Sequence, residues 1–307
     1  MKLTLIETFR ALFYAPFYAA EELGAWRAEG LEVNMIRPAT SAETIRMLLA
    51  GGAQVSWGGP MRLMIALDKD PAADSVAFCE VVGRDPFALV GRTPNPGFQM
   101  RDLIGKRVAV VSEVPTPWIC LQRDLTLAGI DPKTITLAPE RTMDENAAAL
   151  RAGELDVIQV FHPLTRLLVD AGAGHLWCRA SDRGLACYTT LNTTRSFIRN
   201  QPDTVLRITR AIYRTQKWVA THPMGELADL VGGKYLPDVP REVLVACFEE
   251  YRATGVWSTN PIIQRAGLEW KRDAMRSADA IGSAPPYEAY VDLQFIERIM
   301  REDPPSI

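Results

Sequence analysis

The chain has 307 residues, 48% hydrophobic and 23% charged, with a formal net charge of -3. That composition excludes global disorder and supports one large or two medium domains. Lys and Arg are scattered rather than gathered into the basic stripe nucleic acid requires, and no apolar run approaches the ~20 residues of a membrane span.

The elements follow in chain order. Leu3–Glu7 reads as a strand, and an aromatic loop over Thr8–Ala15 carries Phe9, Arg10, Phe13 and Tyr14. Pro16 opens a helix that Gly24 closes, with Phe17 and Tyr18 in its first turn and at least one of them packed on the sheet. Thr40-x-x-Glu43 has the form of a capping box, followed by a helix ending at Gly51, a strand, and the loop Trp57-Gly58-Gly59-Pro60. Phe87–Gly91 reads as a strand, TPNPGF as a turn, and Asp102–Lys106 as a lead-in to the strand Val108–Val111. The loop SEVPTP then brings Ser112, Glu113, Thr116 and Pro117 before a helix ending at Gly129.

A second capping box, Thr142-x-x-Glu145, opens a helix ending at Gly153, followed by a strand and the loop Phe161-His162-Pro163. Thr40–Pro60 and Thr142–Pro163 therefore overlay, with the second loop one residue longer. The segments upstream of each match as well: strand, loop, proline, helix, glycine. Each half is a βαβ unit with parallel strands. Cys187–Asn192 is β-prone and fits a return to the first lobe. Five helices follow, over Asp203–Thr221, Met224–Val231, Arg241–Thr254, Pro261–Ala278 and Tyr287–Arg301.

Two such units joined by two crossings enclose a cleft, bounded at the carboxyl ends of the strands by the loops Thr8–Ala15, Trp57–Pro60, Ser112–Pro117 and Phe161–Pro163. The expected division is 1–91 plus 192–307 for the first lobe and 92–191 for the second, with crossings near Gly91–Asn95 and Leu191–Thr194.

Four stretches, APFYAAEELGAWRAEGLEVNMI, LLAGGAQVSWG, DLIGKRVAVVS and RAGELDVIQVFHP, resemble the SsuA/thiamine-pyrimidine (THI5-like) group of solute-binding proteins of ABC importers. The resemblance runs to about Val219. It implies an α/β fold of the two-lobed type II periplasmic-binding-protein kind, each lobe a mixed, mostly parallel sheet flanked by helices, with a helical C-terminal part. The group also includes the fungal synthase that builds the thiamine pyrimidine. At its cofactor lysine this chain has Gly58, at its histidine donor Arg62, and in its cysteine run only Cys187 matches. The missing amine and imidazole count against that reaction. Where the group usually has aspartate in the strand after the Gly-terminated helix, this chain has Gln54; the second half keeps Asp156.

Each candidate site residue has a functional and a structural reading. Trp57 stacks a flat ligand or fills the core, and Gly58 and Gly59 permit close approach of backbone. Ser112, Thr116 and Trp118 surround a helix start that attracts anions, or Thr116 is an ordinary cap. Arg10 and Arg84 stand near strand ends; Arg84 grips an anion or pairs with Asp85. Glu113 accepts from an amine or is solvated, and His162 contacts the ligand or bonds backbone. Phe161 and Tyr188 complete the set. His175 and His222 have no partners at metal spacing, the five cysteines form no CxxC pair, and no catalytic residue, metal or cofactor is expected.

The leading expectation is a solute-binding protein that traps a small flat or anionic molecule, pyrimidine-like, sulfonate-like or an aromatic acid, with an ABC permease as partner. The alternative is a cytoplasmic enzyme on the same fold. MKLTLIET lacks the basic and apolar regions of a signal peptide. The location is thus cytoplasmic if Met1 is the natural start, periplasmic or lipid-anchored if a leader has been removed.

Overall fold

A computed structural model describes residues 1–307. The first unit runs β1 (Lys2–Glu7), α1 (Ala15–Glu22), α2 (Ala25–Ala28), β2 (Glu32–Ile36), α3 (Glu43–Leu49), β3 (Val55–Gly58), α4 (Met61–Lys69) and β4 (Ser75–Arg84). The second runs β5 (Phe87–Gly91), β6 (Val108–Ala109), α5 (Thr116–Leu127), α6 (Met143–Arg151), β7 (Val157–Phe161), α7 (Leu164–Asp170) and β8 (His175–Arg179). The chain returns through β9 (Leu185–Thr194) and ends in α8 (Arg195–Asn200), α9 (Pro202–Thr221), α10 (Met224–Tyr235), α11 (Arg241–Ala253), α12 (Arg265–Ser277), α13 (Tyr287–Tyr290) and α14 (Gln294–Glu302).

These strands form two mixed sheets, ordered β2-β1-β3-β9-β4 and β6-β7-β5-β8. In the first, β1 pairs parallel to β2 and β3, while β9 runs antiparallel between β3 and β4. In the second, β6 and β7 are parallel and β5 opposes both β7 and β8. Sheet membership corrects the expected lobe limits. Phe87–Gly91 belongs to the second sheet, and the whole of Leu185–Thr194 to the first, so the chain crosses at Asp85–Pro86 and between β8 and β9. A proline cannot donate to a ladder, so Pro86 separates β4 from β5 where the strand changes sheet.

The duplication holds in detail. Gly51 and Gly153 both take left-handed backbone, φ +75° and +77°, where a side chain would be strained. Thr142 and Glu145 cap α6 reciprocally. The Thr40/Glu43 box does not form: α3 begins at Glu43 itself, whose carboxylate accepts from Ala39 N instead. The Gln54/Asp156 pair acquires a reason. Thr4 N donates to Gln54 Oε1 at 2.8 Å, and Arg107 N donates to Asp156 Oδ2 at 2.9 Å. Gln54 thus supplies the same main-chain acceptor as its carboxylate counterpart.

Most of the C-terminal helices pack on the first lobe; α9 lies along α1, α2, α14 and β4. Two reach the second lobe: α12 covers α5, and α11 touches α7. The expected helix over Tyr287–Arg301 breaks at Val291, which bridges to Ala77 beside β4. The one expected from Pro261 starts later, at Arg265. No helix is long and apolar enough to cross a membrane.

Candidate functional site

The loops after β1 and β3 face the starts of α4 and α5. Thr8 donates its hydroxyl to Trp57 O, and a methyl on Gly58 would stand 2.8 Å from Thr8 Oγ1. Gly58 is therefore required by close approach. Across the interface Thr116, the first residue of α5, donates to Met61 Sδ at 3.4 Å, and its hydroxyl lies 4.0 Å from where a Cβ on Gly59 would sit. The amino ends of α4 and α5, one from each lobe, thus meet at the paired glycines.

Arg62, in the first turn of α4, occupies this junction. Its Nε donates to Ser41 O at 3.0 Å, and its guanidinium lies 3.4 Å from the Gly58 Cβ position. Tyr14 and Tyr188 are its charge neighbours, and no carboxylate is in ion-pair reach. Burial pulls the Arg62 guanidinium below the usual arginine range. Lys271 from α12 is fully buried, its ammonium 3.1 Å from Cys120 Sγ and 4.8 Å from the Tyr188 ring centre. Cation–π contact and a thiol replace the carboxylate a buried lysine ordinarily finds.

Aromatic rings fill the space between the sheets. Phe13 meets Phe161 edge-on at 5.3 Å and Tyr188 at 6.0 Å, and Phe87 meets Phe161 at 5.0 Å. Phe9 lies outside this group, against Phe13 and Tyr14, at 5.9 and 5.3 Å. The rings come from the loop after β1, from β5 and β9 just beyond the two crossings, and from the end of β7. Phe13, Tyr14, Phe161, Tyr188, Gly58, Gly59 and Thr116 are accordingly brought together.

Several expected site residues lie elsewhere. Trp57 is a core residue, stacked on Phe17 at 4.4 Å with 5° between planes and 0% exposed. Arg10 is held by Glu7 through two bonds and lies over the Tyr18 and Tyr235 rings, leaving it no free face for an anion. Arg84 packs over Gly255 without an ion pair, since Asp85 is taken by Arg183. Ser112 and Glu113 are exposed and tie their loop to the α6 start: Ser112 Oγ donates to Arg141 O, and Met143 N donates to Glu113. Trp118 packs on the second-lobe core. Thr116 does not cap its own helix.

His162 is buried, but its imidazole turns to the first lobe. Nε2 lies 3.4 Å from Glu250 Oε2 on α11, and the ring stands edge-on to Tyr251 at 5.1 Å. Arg179 of β8 reaches the same carboxylate at 2.6 Å. These two contacts, His162 foremost, hold the Glu250 carboxyl down at about 2.

Sequence reasoning missed Arg62 as a ligand group and Lys271 altogether. A signal for the latter was present. On α12, Gly267, Leu268, Lys271, Ala274 and Met275 fall at the spacing of a buried face, with one cation in the middle of it.

Comparison with known proteins follows this geometry. Residues 13–226 match the NMT1/THI5-like family. The chain is 26% identical over 304 residues to YtlA of Bacillus subtilis (strain 168), named as a binding protein, covering 98% of this chain and 90% of that one. Among solved structures, the periplasmic aliphatic sulphonate binding protein SsuA of Escherichia coli superposes with a TM-score of 0.76 at 13% identity, over 95% of this chain and 96% of SsuA. A protein of Bordetella bronchiseptica RB50 superposes with 0.75 at 19%, over 99% and 98%. The fold is that of the periplasmic binding proteins, and the chain belongs to the NMT1/THI5-like family.

Proposed function

We propose that this is a solute-binding protein whose two lobes close on a small anion bearing a flat or apolar body. The observation that carries the reading is Arg62. It is a largely buried guanidinium at the meeting of two helix amino ends, with no carboxylate to neutralise it. An anionic oxygen there satisfies donors that the protein leaves unmatched. The rings of Phe13, Phe161 and Tyr188 supply apolar faces beside it. A relative named as a binding protein and a neighbour titled a sulphonate binding protein agree with this reading.

Uptake would proceed by separation of the lobes at the Phe13–Phe161 contact, entry of the ligand between them, and reclosure. Closure removes water from Arg62 and strengthens its attraction for the anion. The closed form would then dock an ABC-type permease. An enzyme using a lysine at the Gly58 position is disfavoured sterically, because Thr8 already crowds any Cβ there.

Calorimetry with alkanesulfonates, aromatic carboxylates and hydroxymethylpyrimidines tests the proposal. At least one anion should bind, and Arg62→Gln should weaken it by roughly 10–100-fold, as expected for loss of a charge-assisted hydrogen bond. Binding by none of the three classes, or anion affinity unchanged in R62Q, refutes it.

A further inference from the structure

The second lobe contains a cavity of its own, away from the junction of the lobes. It lies between α5 and the face of β5, β7 and β8, with a volume of about 420 Å³. That is within the ~300–1,000 Å³ range of small-molecule sites. Its walls are apolar: Leu89 and Cys178 from the sheet, Leu121 and Leu127 from α5, and Phe98 and Met100 from the segment before β6. The cavity adjoins a small cluster of buried side chains in this lobe. Leu127 is 61% exposed and marks the rim.

The polar groups of the cavity are unequally paired. Asp124 and Asp85 both grip Arg183, so two carboxylates share one guanidinium. Arg179 is occupied by Glu250 on its far side. Asp182 stands exposed at the mouth in no ion pair. Lys271 is the remaining nearby cation, facing Cys120. Of the charged residues lining the cavity, Asp124 and Asp182 match Arg179 and Arg183 in number, but both arginines are already held by carboxylates, so Asp182 is the lining charge left without a partner. Burial raises the Asp124 carboxyl despite its arginine. In the wall, Gln159 donates its amide to Pro117 O, and its Oε1 has no donor although the residue is 3% exposed. Asp182 at the mouth and Gln159 Oε1 in the wall are both acceptors that lack a donor.

We propose that this cavity is a second binding site, selective for a small organic ammonium with an apolar body about the size of one ring. The apolar walls take the body, while Asp182 at the mouth and the unpartnered Gln159 Oε1 in the wall favour a cationic head. The site is chemically opposite to the anion-seeking junction at Arg62 and does not depend on it.

Calorimetry at neutral pH with 2-phenylethylamine, 2-phenylethanol and 3-phenylpropionate tests the assignment on the full chain. The amine should bind, and the acid should bind at least roughly ten-fold more weakly, because only the charge of the head group changes sign. Leu127→Trp narrows the mouth and Asp182→Asn removes its charge. Both positions are exposed, so both variants should keep their melting temperature while weakening the amine by roughly five-fold or more. No detectable amine binding, equal binding of amine and acid, or amine affinity unchanged in both variants overturns the proposal.

Discussion

The imidazole Nε2 of His162, on the loop that ends β7, lies 3.4 Å from Glu250 Oε2 on α11, and this pair fastens one lobe to the other. With Arg179 at 2.6 Å from the same carboxylate, Glu250 is the point through which two second-lobe side chains hold the first lobe. The carboxyl titrates at about 2 rather than at its ordinary 4.5. Its stabilisation is therefore complete above pH 4.5 and is lost as pH falls through about 2. Glu250→Gln should cost on the order of 2 kcal/mol at neutral pH. Thermal melts of both proteins across the acid range should converge in that window; a constant difference at all pH values rules out the charged contact.

Glu80 gives the opposite slope. Burial in β4 raises its carboxyl to about 7, with Ser258 Oγ donating to Oε1 and Oε2 unpartnered. The folded state holds this proton more tightly than the unfolded one, so its contribution to stability falls as pH rises from 4.5 through about 7 and is constant above. Glu80→Gln should abolish that fall. Denaturant titrations near pH 5 and pH 8 should show the variant gaining relative to the parent at the higher pH, and parallel behaviour refutes the buried acid.

The two Thr-x-x-Glu motifs, alike in sequence, separate in energy. Thr142→Ala removes a formed capping box and should cost about 1 kcal/mol. Thr40→Ala, at a box that is not made, should change stability by less than about 0.5 kcal/mol. Equal effects from chemical denaturation contradict the difference in the two helix starts.

Trp57 separates packing from recognition. Trp57→Phe should destabilise by roughly 1–3 kcal/mol through lost stacking on Phe17 and the space left behind, as large-to-small core changes do. The affinity for whichever anion R62Q weakens should stay within about three-fold, since the indole does not reach the junction. A selective loss of affinity at unchanged melting temperature returns Trp57 to the site.

The repeat, the helix stops at Gly51 and Gly153 and the positions of the four loops were legible, because each depends on local chemistry repeated in two halves. The fate of individual side chains was not. Arg10 and His162 both stand in loops that face the junction, yet each is captured by a carboxylate, Arg10 by its near neighbour Glu7 and His162 by Glu250. Glu250 lies on a helix far along the chain, and no local pattern announces such a partner. Gln54 shows the converse: although it lacks the ion pairs that Asp156 makes with Arg92 and Arg107, both accept a main-chain amide at matching positions.

The placement of β9 beside β4 has a mechanical meaning. Their ladder runs to Arg84↔Leu185, at the threshold of both crossings, so the two connections leave the first sheet side by side. Both strands belong to the first sheet, so the ladder moves with that lobe, and the two adjacent connections form a line about which the second lobe can rotate. Rotation about that line changes one quantity, an opening angle between the lobes. A solute would be sized by that angle, since only one thick enough to hold Phe13 and Phe161 apart and thin enough to let His162 regain Glu250 satisfies both limits at once.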